Sequence, residues 1–305
     1  MAAVGIGLDD WRAQGRTLLF HRHEIRHWTA GPADAEPLLL IHGFPTASWD
    51  WNRLWAPLAQ RYRLIACDML GFGDSAKPRH HPYSLLEQAD VQQALIRHLA
   101  IDRPLHVLAH DYGDSVAQEL LARHREGRVR LASCVFLNGG LFPETHQPLL
   151  LQKLLLSPAG FLVDRLFTRR TLAANFARVF GPQTQPSEAE LDAFWQLIAK
   201  NDGAAVMHRL IRYMPERREQ RERWVTAMQR SDVPLRVIDG ALDPISGAHM
   251  VARYRELIPQ PDCVLLDGIG HYPQIEAPEQ VLAHYLAFRD GLGATPDAPV
   301  QAQAG

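Results

Sequence analysis

The sequence predicts an α/β fold: a mostly parallel sheet, helices on both faces, and a helical insertion in the second half of the chain. Three observations carry this expectation. Short runs rich in Leu, Ile and Val alternate with amphipathic or Ala/Leu-rich stretches, the pattern of β-α-β units whose strands are buried on both faces. From about Phe142 to Ser231 no strand-like run appears, only helical patterning. At Leu105–Ser115 an apolar run passes straight into helix-like sequence through a turn built small–x–acid–x–small, from Ala109 through Asp111 to Gly113.

The strands come in order. Thr17–Arg22 and Glu24–Trp28 read as an opening antiparallel pair. Leu38–Ile41, Leu64–Cys67, Leu105–Ala109, Cys134–Leu137, Leu235–Ile238 and Cys263–Leu266 read as buried strands, which makes eight. Helices are expected at Leu85–Leu99, Val116–Arg123, Ala248–Leu257 and Pro278–Arg289. Within the insertion they are expected at Ser187–Ala199, opened by the capping box of Ser187 and Glu190, and at Ala204–Tyr213. The organisation that follows is a core over residues 1–141, a helical cap over 142–231, the rest of the core over 232–290, and a disordered tail over 291–305 rich in Ala, Pro, Gln and Gly.

Composition bounds the function. The chain has 305 residues, 47% of them hydrophobic, which is ample for a large core. With 32 Lys+Arg against 34 Asp+Glu, the net charge of −2 gives no polyelectrolyte signature, so nucleic acid and anionic membrane surfaces are poor partners on composition. Cys67, Cys134 and Cys263 are odd in number, widely spaced and flanked by apolar residues, which suits buried strand positions better than disulfides or a zinc site. The N-terminus lacks the basic and apolar regions of a signal peptide. The most apolar stretch, Leu149–Val163, is broken by Gln152, Lys153, Ser157 and Pro158, so no membrane span and a cytoplasmic location are expected.

The chemistry concentrates at strand ends. Asp111 sits at the apex of a nucleophile elbow, where a carboxylate can attack carbon and form a covalent ester, kept ionised by the helix N-terminus behind it. Asp243 follows the strand Leu235–Ile238 and His271 follows Cys263–Leu266, completing the chain order nucleophile, acid, histidine at the edge where ligands bind in open α/β sheets. The segment Ile41-His42-Gly43-Phe44-Pro45 follows an earlier strand, so the backbone N–H groups of Phe44 and Tyr112 are the expected oxyanion hole. Each residue also has a plainer reading: Asp111 as a helix cap, Asp243 as a turn opener before Pro244, His271 as a polar residue in a Gly-rich turn. Four strand-end motifs in the right order favour catalysis over that set of coincidences.

Other candidates weaken. His21, His23, His27, His80 and His81 have no Cys or carboxylate spacing that completes a metal site, so no metal is expected. The six arginines of Arg209–Arg223 interleave with Glu216, Glu219 and Glu222, the pattern of a solvated helix face. Gly71-Phe-Gly73 lacks the third glycine of a dinucleotide loop.

The segments HGFP, DMLGFGDSAKP, HDYGDSVAQEL, GALDP and GIGHYPQIEAPE together resemble the α/β-hydrolase superfamily, in its epoxide hydrolase and haloalkane dehalogenase branch with an Asp nucleophile. HDYGDSVAQELLAR, NGGLFPETHQPLLLQKLL and GPQTQPSEAEL extend the likeness to the mesoderm-specific transcript family, over about Pro37 to Phe288. The resemblance implies an α/β-hydrolase fold with an inserted cap, Asp111 as nucleophile, His271 as base, Asp243 as its orienting acid, no cofactor, and a small hydrophobic epoxide or organohalide as substrate. Tyr112 stands where dehalogenases hold the halide with Trp, and HGFP is closer to the epoxide hydrolase pattern. Epoxide hydrolases carry two cap tyrosines that protonate the epoxide oxygen; Tyr213 is the one tyrosine between Leu141 and Asp232, which leaves Trp195, His208 or a water as the second donor at the substrate. Halide displacement on the same triad is the alternative, and a ligand-binding protein on a retained scaffold is the reading from a different class.

Overall fold

The computed structural model describes residues 5–293. Its eight strands are β1 (Arg16–Phe20), β2 (His23–Ala30), β3 (Glu36–Ile41), β4 (Tyr62–Cys67), β5 (Leu105–His110), β6 (Leu131–Leu137), β7 (Leu235–Gly240) and β8 (Cys263–Leu266). They form one sheet in the order β1-β2-β4-β3-β5-β6-β7-β8. The β1–β2 and β2–β4 pairs are antiparallel, and every pair from β4 onward is parallel. All six residues of β5 are buried, which explains why its sequence runs apolar without alternation. Because β3 to β8 run the same way, the loops after β3, β5, β6, β7 and β8 meet along one edge.

Helices Leu85–His98, Tyr112–Arg125, Ala248–Leu257 and Pro278–Gly291 flank the sheet. The first is capped by Ser84, whose hydroxyl accepts from Leu86 N (3.1 Å). Pro278 opens the last of them, where its missing N–H leaves no acceptor unmet. Between β6 and β7 the described residues carry helices and no strand: Leu150–Leu156, Gly160–Asp164, Arg169–Val179, Glu188–Ala199, Met207–Leu210, Tyr213–Glu219 and Arg221–Gln229, with a 3-10 segment at Lys200–Val206. The Ser187 capping box is formed in both directions, Glu190 N to Ser187 Oγ (3.3 Å) and Ser187 N to Glu190 Oε2 (2.9 Å).

Four expectations need correction. Arg22 lies in the β1–β2 turn rather than in a strand, because His21 takes a positive φ of 52°. The helix expected from Val116 begins at Tyr112, immediately after Asp111. The single helix expected at Ala204–Tyr213 is three pieces. Asn201 and Asp202 take left-handed φ values of 53° and 59° ahead of it, and Pro215, which lacks an N–H for an upstream carbonyl, sits in the first turn of a new helix. Of the tail expected over 291–305, Gly291 belongs to the last helix, and residues 294–305 lie outside the described residues. Short helices at Leu8–Gln14 and Asn52–Ala59 were not legible beforehand. The first buries Trp11 against Trp28 (ring centroids 5.1 Å) and Trp55 (4.8 Å), contacts that exist only once the chain has folded. The three cysteines are free and sit on β4, β6 and β8, Cys263 only partly buried.

Candidate active site

Asp111 occupies the step from β5 into the helix Tyr112–Arg125 with φ 49° and ψ −105°, a strained backbone for a residue with a Cβ. The turn is held by Asp111 N donating to Leu137 O (3.1 Å) and by Asp114 N donating to Asp111 O (3.2 Å). It is so tight against β3 that a Cβ on Gly113 would lie 2.5 Å from Ile41 O, which is why a glycine stands there. The Asp111 side chain is buried and its Oδ2 accepts from Phe44 N at 3.0 Å. Tyr112 contributes the first amide of the helix, one of the four that have no acceptor within it. Of the two expected oxyanion-hole donors, the Phe44 amide is bonded to the carboxylate, and the Tyr112 amide follows it directly in the chain.

A residue the sequence reading had placed on a solvated face completes this corner. Arg217, from the insertion, is 2% exposed. Its Nε donates to Ser115 Oγ (2.6 Å), its Nη2 donates to Asp111 O (2.9 Å) and lies 3.7 Å from Asp111 Oδ1, and its guanidinium stacks on the Tyr213 ring at 4.4 Å. Burial alone would push the Asp111 carboxyl up; the charges of His271 and Arg217 outweigh it and hold Asp111 below the usual range, as an anion.

Asp243 and His271 meet as expected, His271 Nδ1 donating to Asp243 Oδ2 at 2.7 Å. That carboxylate has further donors: Oδ2 also accepts from Asn138 Nδ2 (3.1 Å) and Ser246 N (3.2 Å), and Oδ1 from Ile245 N (2.8 Å). Burial would push its carboxyl up, but the charge and hydrogen bond of His271 and the other donors hold Asp243 below its usual range, so it stays ionised, fixing the proton on His271 Nδ1 and leaving Nε2 as the reactive nitrogen. Burial works against the imidazolium, but Asp243 and Asp111 overcome it and raise His271 to about 9. His110, next to the candidate nucleophile, donates its Nε2–H to His271 O (2.7 Å); burial and the neighbouring His271 lower it to about 3, so it is neutral and acts as a strut. From the insertion, Val179 O accepts the His271 N–H (2.8 Å). Asn138, Ser246 and His110 were missed by sequence reasoning. Asn138, the residue directly after β6, was detectable by the strand-end criterion that found the others.

An apolar pocket opens onto Asp111 and His271. The core contributes Phe44, Ile245 and Tyr272, and the insertion contributes Leu151, Leu155, Phe167 and Met207, with Gln152 and Asn175 as its polar members. Residues 36–278 match the family described as alpha/beta hydrolase fold. The chain belongs to the alpha/beta hydrolase family. Over 295 residues this hydrolase is 42% identical to the mesoderm-specific transcript protein of Mus musculus, covering 92% of this chain and 87% of that one. Its fold is similar to that of haloalkane dehalogenase DbeA from Bradyrhizobium elkani USDA94, at a TM-score of 0.77, 22% identity, and 91% and 98% of the two chains. It is similar to that of the epoxide hydrolase CorEH at a TM-score of 0.73, 20% identity, and 91% and 99% of the chains. At those identities both structures speak to the fold alone.

Within the hydrolase, the expected substrate contacts need revision. Trp195 and His208 do not line this pocket; both face a separate surface cleft with Arg79 and Asp202. His208 is engaged by Asp164, its N–H donating to Oδ1 (3.0 Å) and its Nδ1 pairing with Oδ2, while Trp195 packs on Phe167 at 6.0 Å. The strand-free stretch offers too few constraints for the sequence to say which side of a helix meets the pocket. Tyr213 is buried between Phe44 and Tyr112, and its hydroxyl accepts from Gln152 Nε2 (3.4 Å), so it reaches the pocket wall through Gln152. The tyrosine that does line the pocket is Tyr272, directly after His271. Its hydroxyl donates to Phe44 O at 3.5 Å, and burial with the charges of Asp50 and Asp111 keeps it protonated.

Proposed function

We propose that this hydrolase opens epoxides to vicinal diols through a covalent ester on Asp111. The observation that carries the reading is an ionised carboxylate at the elbow, bonded to the Phe44 amide and facing an apolar pocket beside the His271–Asp243 pair. A carboxylate attacking an acyl carbon would form a labile anhydride, whereas attack on an alkyl carbon forms a stable ester, so a strained or activated C–X bond is the fitting substrate. In the first step an Asp111 oxygen bonds to a ring carbon, the C–O bond breaks, and the freed oxygen takes a proton from a tyrosine hydroxyl. In the second, His271 removes a proton from water, the hydroxide attacks the Asp111 carbonyl carbon, and the Phe44 and Tyr112 amides hold the tetrahedral oxyanion. Collapse expels the diol oxygen, which is protonated as it leaves, and restores the carboxylate with one oxygen from water. The first step takes up one proton and the second releases one.

The test is a single turnover in ¹⁸O-water with panels of epoxides and organohalides. The proposal expects diol from an epoxide and ¹⁸O in the Asp111 carboxylate after that turnover. Halide release with no diol would move the assignment to dehalogenation, and label delivered directly to the product would overturn the ester.

The tyrosines give a sharper expectation. Tyr272 lines the pocket and both it and Tyr213 are held in the neutral, donating form by burial. Tyr272→Phe is expected to slow ester formation from epoxides by about 10²-fold. It should change ester formation from an organohalide far less, because a halide leaves without a proton. Quenched-flow mass spectrometry of the two reactions compares them directly.

Arg217 makes a separate prediction. Removing a cation beside a carboxylate raises that carboxyl's pKa, so Arg217→Met should move the acid limb of ester formation upward by about one pH unit, with Arg217→Lys in between. A variant that loses activity with an unmoved limb would show that Arg217 serves only packing.

A further inference from the structure

One face of the insertion is built unlike the rest of the surface. Helix Leu150–Leu156 carries leucines on two opposite sides: Leu151 and Leu155 line the pocket, while Leu150 and Leu154, one turn apart, face outward at 64% and 45% exposed, with Lys153 beside them. The next helix, Gly160–Asp164, packs beside it and continues the outer face with Phe161, Leu162 and then Leu166, 48–74% exposed. Five of the eight large apolar side chains that are exposed among the described residues thus fall within 17 residues of sequence. Helix Gly160–Asp164 is tied on its inner side by buried Asp164, which accepts from the N–H of half-buried His208 (3.0 Å) and pairs with its ring.

The charge on this face has one sign. Between Glu144 and Glu188 the only acid is Asp164, which is buried, against Lys153, Arg165, Arg169, Arg170 and Arg178. Arg169 is paired with Glu188 and Asp192, and the neighbouring Asp202 with Arg79. Lys153, Arg165 and Arg170 are exposed and, among the described residues, take part in no ion pair. A net charge of −2 over the whole chain averages this local excess away, so composition alone argued against an anionic surface as partner.

We infer that this face, Leu150, Leu154, Phe161, Leu162 and Leu166 with Lys153, Arg165 and Arg170, docks on an anionic lipid bilayer. Exposed large apolar side chains interspersed with unpaired cations match an interface in which hydrocarbon lies beneath a negative headgroup layer. A second copy of the chain fits less well, because a twofold contact through this patch sets Lys153, Arg165 and Arg170 against the same cations. Residues 294–305 offer Val300 as their single large apolar side chain, too little to cover the patch. On the function proposed for this site, helix Leu150–Leu156 would present one side to the bilayer and the other to the pocket, so the natural substrate would be a lipophilic epoxide; docking itself does not depend on that chemistry.

The test is co-sedimentation of the full chain with vesicles of phosphatidylglycerol and of phosphatidylcholine, alongside its mass in solution. Binding to phosphatidylglycerol vesicles, weakened by salt and weaker on phosphatidylcholine, is the expected result. Lys153→Glu, Arg165→Glu and Arg170→Glu together should weaken it by about 10²-fold. Leu154→Ser, Phe161→Ser and Leu166→Ser together should weaken it at least about tenfold. Unchanged thermal unfolding would show both variants folded. Absence of wild-type binding to either vesicle would overturn the inference, as would binding that folded variants retain, or a wild-type dimer that the serine variant turns into a monomer.

Discussion

Asp111→Asn is expected to abolish turnover, by about 10⁴-fold or more, and to leave no covalent adduct with any substrate. The substitution is nearly isosteric, and the amide oxygen can still accept from Phe44 N, so the elbow should persist. What disappears is the negative charge. That charge is one of the groups that raise His271 to about 9, after burial has acted to lower it. Removing it disfavours the imidazolium, so the His271 pKa in Asp111→Asn should fall below about 9. NMR titration of the His271 ring measures this without any substrate. An adduct on the variant would show that another residue is the nucleophile; an unmoved His271 titration would show that the two groups are not electrostatically coupled.

The same charge change occurs during the proposed reaction, because an ester on Asp111 is as neutral as the amide. The resting site therefore holds His271 protonated, and forming the ester releases it to act as a base. Ester formation from an epoxide needs the Asp111 anion, held below the usual carboxylate range, and a neutral tyrosine hydroxyl, kept so by burial, and should be nearly flat between about pH 5 and pH 8. Ester hydrolysis needs neutral His271 and should rise with pH.

How much of this could be read in advance depended on where each constraint resides. The eight strands are long-range in their pairing but local in their signal: β5 reads as Leu-His-Val-Leu-Ala because both of its faces are covered. The elbow was legible because the turn itself demands small residues at Ala109 and Gly113. Arg217 was not, because periodicity sees six arginines and three glutamates on a helix and cannot see that one guanidinium reaches Ser115 and Asp111 more than a hundred residues back. Tyr272 was not legible for a different reason: the resemblance implies tyrosines in the cap, whereas the tyrosine that lines the pocket stands beside His271 on the loop after β8. In the insertion, where no strand fixes orientation, Trp195 and His208 looked as eligible as Leu151 or Met207, and only the folded helices tell the pocket side from the outer side.

His271→Gln should separate the two proposed steps. Gln can occupy the imidazole's space, but it cannot take a proton from water. Asp111 in this variant keeps Arg217 and the Phe44 amide as stabilising partners and loses the cation of His271, so its pKa should rise somewhat while remaining on the acid side of neutrality. Ester formation is therefore expected to survive within about tenfold, while hydrolysis falls by about 10³-fold or more. The protein should accumulate with the mass of one whole epoxide added, and peptide mapping should place that mass on Asp111. An alkyl group that has lost halide at the same position would keep the nucleophile and change the substrate class. Steady turnover at the wild-type rate with no accumulated adduct would mean that His271 is not the base, and the tight His271–Asp243 pair would then be structural.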